Sequence, residues 1–333
     1  MNRRSIETVF LKALLAFMVV CIHSKLPGEF GKTVMYLSRT AVPCFFMISG
    51  YYIKKTDEKK LKIQIVSILK LTILSSMVYG ILKACVALLK YESVIEFVTQ
   101  QFNLNAIINL LLWNFSPFSG LLWYLNALIY TLVIYCFFKH INKLELLSVL
   151  APLLLLMSLS FGKYSFLFSI QTPLQYSRNA WFVGILFFMI GYISSGIDLT
   201  KKKYYYLILI GSGCFLSLAE MLMFERMSVK SAGGILLGTI PVALGLMGLF
   251  LNINIRDNKV LVFFSQIGKK HSTFVYVFHI AVIEILSIFV LTKIRYSLVY
   301  LLPILVYTIC VFSSVCLSKL KKRVKAIDMS VFE

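Results

Sequence analysis

Acidic residues are scarce in this chain: 14 Asp and Glu stand against 34 Lys and Arg over 333 residues, a formal charge of +20. Polar stretches long enough to build a water-soluble domain are missing as well. Some 59% of the residues are hydrophobic, only 14% are charged, and the mean hydropathy is +0.84. With no soluble domain to present it, the positive charge does not mark a nucleic-acid partner. CxxC pairs are absent, and the seven cysteines (21, 44, 85, 136, 214, 310 and 316) are odd in number and all fall in apolar stretches. They read as packing residues, with neither a disulfide framework nor a metal site implied. No HExxH, GxSxG, P-loop or GxGxxG stands in a credible context, which removes metalloprotease, serine-hydrolase and nucleotide-fold chemistry. The first apolar run has no small-residue cleavage site after it and is interrupted by Lys12, so it is not read as a cleavable signal peptide.

What the chain does have is a succession of apolar stretches of about 20 residues, the length that crosses a hydrocarbon core. Spans are expected near 8–27, 33–53, 63–89, 119–138, 144–161, 179–197, 204–223, 233–251, 271–291 and 298–318. With the N-terminus inside, the inner segments hold 21 Lys and Arg and the outer segments nine. That asymmetry places both termini in the cytoplasm. The expected fold is therefore all-α: one polytopic membrane domain over 1–333, with about ten transmembrane helices and a basic cytoplasmic tail, 319–333, on the inner leaflet. The inner loops are short. Two outer ones are longer: 90–118, with Glu92, Glu96 and the short apolar piece AIINLLLWNF, and 162–178, with Pro173 and several aromatics.

Ionisable residues inside such spans face the bundle interior or a wet cavity and mark function by default. Lys12 and His23 are eleven residues apart, about 20° from a whole number of turns, so they share one helix face roughly 16 Å apart along the axis. Lys12 falls in the inner third, where snorkelling is the alternative to binding. His23 falls toward the outer third, where bonding a carbonyl is the alternative to moving a proton. Arg39 lies in the outer third of the second span, at a similar depth to His23, and needs a partner or a cavity. Pro43 frees the Arg39 carbonyl, and Ser49-Gly50 permits close helix approach. Arg178 and Asn179 open the sixth span, with Gly184 and Gly191 on one face; Arg178 is an interfacial anchor or an anion-binding group. Trp123, Tyr124 and Asn126 sit at the same outer level, as a site wall or an aromatic belt. In the ninth span Ser272, Tyr276 and His279 share a face, with His279 near mid-membrane and His271 at the interface. Glu220 and Glu284 are the notable intramembrane acids, each a structural ion-pair member or a catalytic group.

These residues resemble a known family. Lys12 and His23 match the (Arg/Lys)-x10-His element of membrane acyltransferase family 3, the O-acyltransferases of bacterial surface glycans. PCFFMISGYYIKK resembles its Pro-x-Phe-Phe-x-x-Ser-Gly signature and STFVYVFH its Ser-x-x-x-Tyr-x-x-His element. The resemblance implies a bacterial plasma-membrane enzyme that moves an acyl group, usually acetyl, from cytoplasmic acetyl-CoA to a hydroxyl of a surface polysaccharide or lipid-linked sugar. Acetyl-CoA would be the donor substrate, with no permanently bound cofactor; membrane lipid is a partner, and a homo-oligomer is left open. His23 and Arg39 would be catalytic, as base or nucleophile and as oxyanion partner. Lys12, Arg178, Trp123, Tyr124, Tyr276 and His279 would bind substrate. Two departures stand out. Lys replaces Arg at position 12, keeping the charge but losing the phosphate-binding fork. No esterase-like domain follows the tenth span, so transfer is expected to finish in the membrane core or on a separate partner. SRTAVPCFFMISGYY and SRNAWFVGILFFMIGY are also similar to the membrane half of the vancomycin-resistance serine/alanine racemases. That similarity implies, as the alternative, transport of a small polar molecule such as serine, with Arg39 or Arg178 holding its carboxylate.

Overall fold

The structure, a computed structural model, describes residues 3–89, 93–117, 119–170, 172–199, 202–229, 233–253, 258–289 and 296–330. Lys90, Glu92, Lys201, Lys230, Arg256, Lys293 and Arg295, used above to read the loops, lie outside the described residues. The described chain is all-helical, without a strand. Its α-helices are α1 (Arg3–His23), α2 (Gly28–Ser38), α3 (Ala41–Ile53), α4 (Glu58–Leu89), α5 (Val94–Gln101), α6 (Leu104–Trp113), α7 (Trp123–His140), α8 (Leu144–Ser160), α9 (Leu186–Ser194), α10 (Lys203–Arg226), α11 (Thr239–Leu251), α12 (Lys259–Lys270), α13 (Ser272–Phe289) and α14 (Leu302–Ser330).

Five of the described helices are long and apolar enough to cross a membrane: those containing Ile6–His23, Glu58–Leu88, Gly120–His140, Lys203–Arg226 and Val299–Leu320. Their outer faces require a non-aqueous surrounding. Ile73, Leu74, Met77 and Ile81 on α4, and Leu207, Ile208 and Phe215 on α10, are exposed, an apolar surface that water does not tolerate on this scale. Cys85 shares that exposed character, while Cys21, Cys44 and Cys310 are packed inside. Burial thus explains only some of the cysteines.

The remaining expected spans coincide with shorter or interrupted helices. Span 33–53 is not continuous: α2 ends at Ser38 and α3 starts at Ala41, with Arg39 and Thr40 in the break. Pro43 has no N–H to offer the Arg39 carbonyl and its ring crowds that same group, so the chain parts there instead of merely kinking at the proline. Span 179–197 begins with a π-helical segment, Ala180–Ile185, before α9. Span 233–251 becomes helical only at Thr239, after Gly233 and Gly234, whose φ values are 143° and 116°. Broken backbone of this kind survives at membrane depth where protein surrounds it.

The chain divides into two compact units, Met1–Ala41 with Leu246–Glu333, and Val42–Gly245. In the first, α1 packs against α13 and α14 through Ala16, Val20, Val275, Leu302, Val306 and Cys310. Tyr307 adds a hydrogen bond from its hydroxyl to the Ala13 carbonyl at 3.2 Å. Helix α12 also lies against α1. Its residues fall in the inner segment expected between the spans 233–251 and 271–291.

In the second unit α3 and α9 touch backbone to backbone. A Cβ on Gly50 would strike the Phe188 carbonyl, and one on Gly191 the Met47 carbonyl, so the two glycines key into each other's helix. Asp57 starts α4, its Oδ1 accepting the Lys60 N–H at 2.8 Å. Lys60, through that bond and its ammonium, holds the Asp57 carboxyl below the usual carboxylate range. Loops expected on one side of the membrane meet one another. Lys139 pairs with Glu58 at 3.6 Å, and Lys54 covers the Tyr192 ring at 4.3 Å beside the 195–199 turn. Loops expected on the other side do the same: Trp113 packs on Tyr176 at 4.6 Å between ring centroids, and Asn114 Oδ1 accepts the Ala180 N–H at 2.9 Å.

Candidate active site

Helix α1 runs uninterrupted to His23 because nothing between Phe10 and Ile22 breaks a helix. It is turned back by Lys25 and Gly28, both at positive φ, with Pro27 capping α2. His23 is thereby fixed at the last residue of α1, half-buried. Helix α13 brings His279 to it: the two imidazole rings, 256 positions apart in the chain, lie 5.2 Å apart between centroids at 45°. His279 is 1% exposed. Its Nδ1 faces two carbonyls, Val275 at 3.0 Å and Tyr276 at 2.8 Å. Carbonyls only accept, so Nδ1 carries the proton, and in the neutral ring Nε2 is the basic nitrogen. That Nε2 is buried and has no hydrogen-bond partner. Tyr276, buried one turn earlier on α13, holds its ring 6.3 Å from His279. The late Ser-x-x-x-Tyr-x-x-His element thus converges on the His of the first element.

Lys12 sits on α1 three turns before His23, half-buried. Arg39 occupies the break between α2 and α3. Its guanidinium lies 4.8 Å from the centre of the Tyr36 ring, and its Nε and Nη1 are buried without a hydrogen-bond acceptor. A buried guanidinium with two idle donors is costly unless an anion completes it. Those two idle donors make Arg39 a candidate for binding an anion.

The other three expected residues belong to the second unit. Trp123 packs on Phe46 at 6.4 Å. Tyr124 is buried edge-on against Phe46 at 4.9 Å, with its hydroxyl bonded to Ser49, whose own proton goes to the Phe45 carbonyl. Those contacts are core packing for Tyr124. Arg178 lies beside Gly233, where an added Cβ would stand 3.1 Å from Nη2.

Two polar residues, Glu7 and Asn114, went unremarked in the sequence. Glu7 on α1 is 1% exposed, with neither carboxylate oxygen hydrogen-bonded. The signal was an acid five residues before Lys12 at the very start of the first span, where it reads as a loop residue. Asn114 and Asn179 pin the π-segment: Asn179 Oδ1 accepts the Phe182 N–H at 3.0 Å, and Asn126 Nδ2 donates to the Asn114 carbonyl at 3.3 Å. Among the described residues, Glu220 forms no ion pair with an arginine. Its oxygens take the Tyr164 hydroxyl at 2.6 Å and the N–H groups of Leu237 and Gly238 at 3.1 and 3.3 Å, just ahead of α11. It staples that helix start in place. Burial and this carboxylate push the Tyr164 hydroxyl above its ordinary range.

Residues 9–320 match the family described as Acyltransferase domain, acyltransferase family 3. No curated protein and no solved structure matches the chain.

Proposed function

Since this chain belongs to acyltransferase family 3 and is a membrane acyltransferase, we propose that it moves an acetyl group from cytoplasmic acetyl-CoA to a hydroxyl of a surface polysaccharide or lipid-linked sugar, in a bacterial plasma membrane. The observation that carries this reading is the meeting of His23 and His279, with the His279 tautomer set by two backbone carbonyls.

In the proposed reaction the acceptor oxygen attacks the thioester carbonyl carbon while His23 takes the hydroxyl proton. His279 holds its ring against His23, and its Nε2 shares the positive charge that forms there. The carbonyl oxygen becomes an oxyanion held by one of the idle N–H groups of Arg39. The carbon–sulfur bond then breaks, and the thiolate of CoA leaves and takes a proton from the imidazolium. Lys12 receives a phosphate of CoA at the inner end of the same helix face, and the long pantetheine arm of the donor covers the distance to His23.

Arg39 also supports a second reading. Two buried donors on one guanidinium suit the carboxylate of an amino acid as well as an oxyanion, which is the geometry serine transport needs.

Replacing Lys12 with Ala tests the donor half of the proposal. The expected result is a higher KM for acetyl-CoA by about 5- to 150-fold, equivalent to the ~1–3 kcal/mol of a charged hydrogen bond, with the acceptor KM unchanged. Steady-state kinetics in proteoliposomes with each substrate varied in turn reads it. An unchanged donor KM leaves Lys12 as a snorkelling residue without a substrate.

A further inference from the structure

Helix α12 carries a surface that the acyl-transfer reading does not use. Asn258 caps it, its Oδ1 accepting the N–H groups of Val260 and Leu261 at 2.9 and 3.2 Å, so the helix is a defined element. One face is committed to the protein. Ser265, Ile267 and Gly268 are buried, and a Cβ on Gly268 would strike the Val9 carbonyl and lie 2.9 Å from the Ala13 nitrogen. Phe264 meets the Phe10 ring at 6.4 Å. The rest of the helix surface is exposed and divided, its apolar part running alongside buried Ile267 and reaching Phe264 at the packed edge. At 100° per residue, Val260, Phe263 and Phe264 fall within an arc of about 100°, and Lys259, Lys269 and Lys270 fall within a neighbouring arc of similar width. All six are exposed, and no acidic residue occurs between Asn258 and His271. His271, at the C-terminal cap, bonds Ser314 of α14 through Nδ1 at 2.8 Å, which sets exposed Lys319 only five residues further along that helix.

An apolar edge beside a cationic edge on a short amphipathic helix is the arrangement that lies flat in a lipid interface, side chains of the first edge among acyl chains and ammonium groups among headgroups. The charge is of one sign, so the headgroups it fits are anionic. We propose that α12 is a docking surface for anionic phospholipid headgroups. Because Gly268 seats against Val9 and Ala13, on either side of Lys12, the lipid-bound helix braces the inner end of α1.

The test measures lipid retention by the full-length protein, so it is independent of whether the chain transfers acetyl groups. The protein is extracted from vesicles of equal phosphatidylglycerol and phosphatidylcholine, and the lipids that stay bound are counted by native mass spectrometry. Each lysine at an anionic surface contributes about a factor of five in affinity. The wild type is expected to retain phosphatidylglycerol at least tenfold over phosphatidylcholine. Lys259→Gln, Lys269→Gln and Lys270→Gln together should bring that preference close to parity. The three lysines replaced by Arg should keep it, and Lys139→Gln with Lys143→Gln in another loop should leave it at the wild-type level. Free CoA should not displace the phosphatidylglycerol. Equal retention of the two lipids by the wild type, an unaltered preference in the triple Gln variant, loss in the triple Arg variant, or displacement by CoA would each overturn the proposal, the last by making these lysines a phosphate site for the donor.

Discussion

Acyl transfer falls at least ~100-fold in His23→Ala, the low end of what a positioned acid–base group contributes. His23 is half-buried at the end of α1 and supports little packing, so the variant should elute and melt like the wild type. His279→Ala should show a loss of similar size, with some loss of stability because a fully buried ring is removed. The rings lie 5.2 Å apart and are proposed to act on one proton. The double variant should therefore be little worse than the more damaged single one, as expected of residues that work as a unit. Turnover of labelled acetyl-CoA with each variant reads all three. Losses that multiply would separate the two histidines into independent roles. Unimpaired activity in His23→Ala would remove it as the base and leave His279 Nε2 in that place.

Arg39→Met is expected to lower kcat by about 10²–10³, the cost of removing one oxyanion donor, with both KM values nearly unchanged. The reason is that the idle Nε and Nη1 groups have no acceptor in the resting protein and gain one only when charge develops. Arg39→Lys should recover little, since an ammonium lacks the planar pair of donors. A rise in donor or acceptor KM with kcat intact would mean instead that Arg39 holds a ground-state anion.

How far the sequence foretold this arrangement depended on the range of the signal. Long apolar runs such as 63–89 and 204–223 correspond to single helices, because length and hydropathy are local properties. The break at Arg39–Thr40 was half visible: Pro43 announced trouble for the Arg39 carbonyl, but a kink and a break have the same local signature. The π-segment at Ala180–Ile185 had no signal of its own. It is imposed from a distance, by Asn114 on the Ala180 N–H. Helix α12 was missed because a five-residue apolar stretch between Lys259 and Ser265 fits neither a span nor a loop template. Among the site residues, His23, His279, Tyr276 and Arg39 were recognisable as ionisable or polar groups in apolar runs, whereas the meeting of His23 with His279 required the packing of α1 on α13. Glu7 was passed over because an acid near a span's edge is cheap, and only packing reveals that this one is buried.

The most direct test of the central claim uses purified protein in proteoliposomes loaded with acetyl-CoA labelled in the acetyl group. A surface-type polysaccharide or a lipid-linked sugar is presented outside, and uptake of labelled serine is measured in parallel. The account predicts that acetyl label appears as an ester on the acceptor, that His23→Ala abolishes this ester, and that serine does not accumulate. Serine accumulation by the wild type with no acetyl ester formed would contradict it, and Arg39 would then be the carboxylate receptor of a transporter.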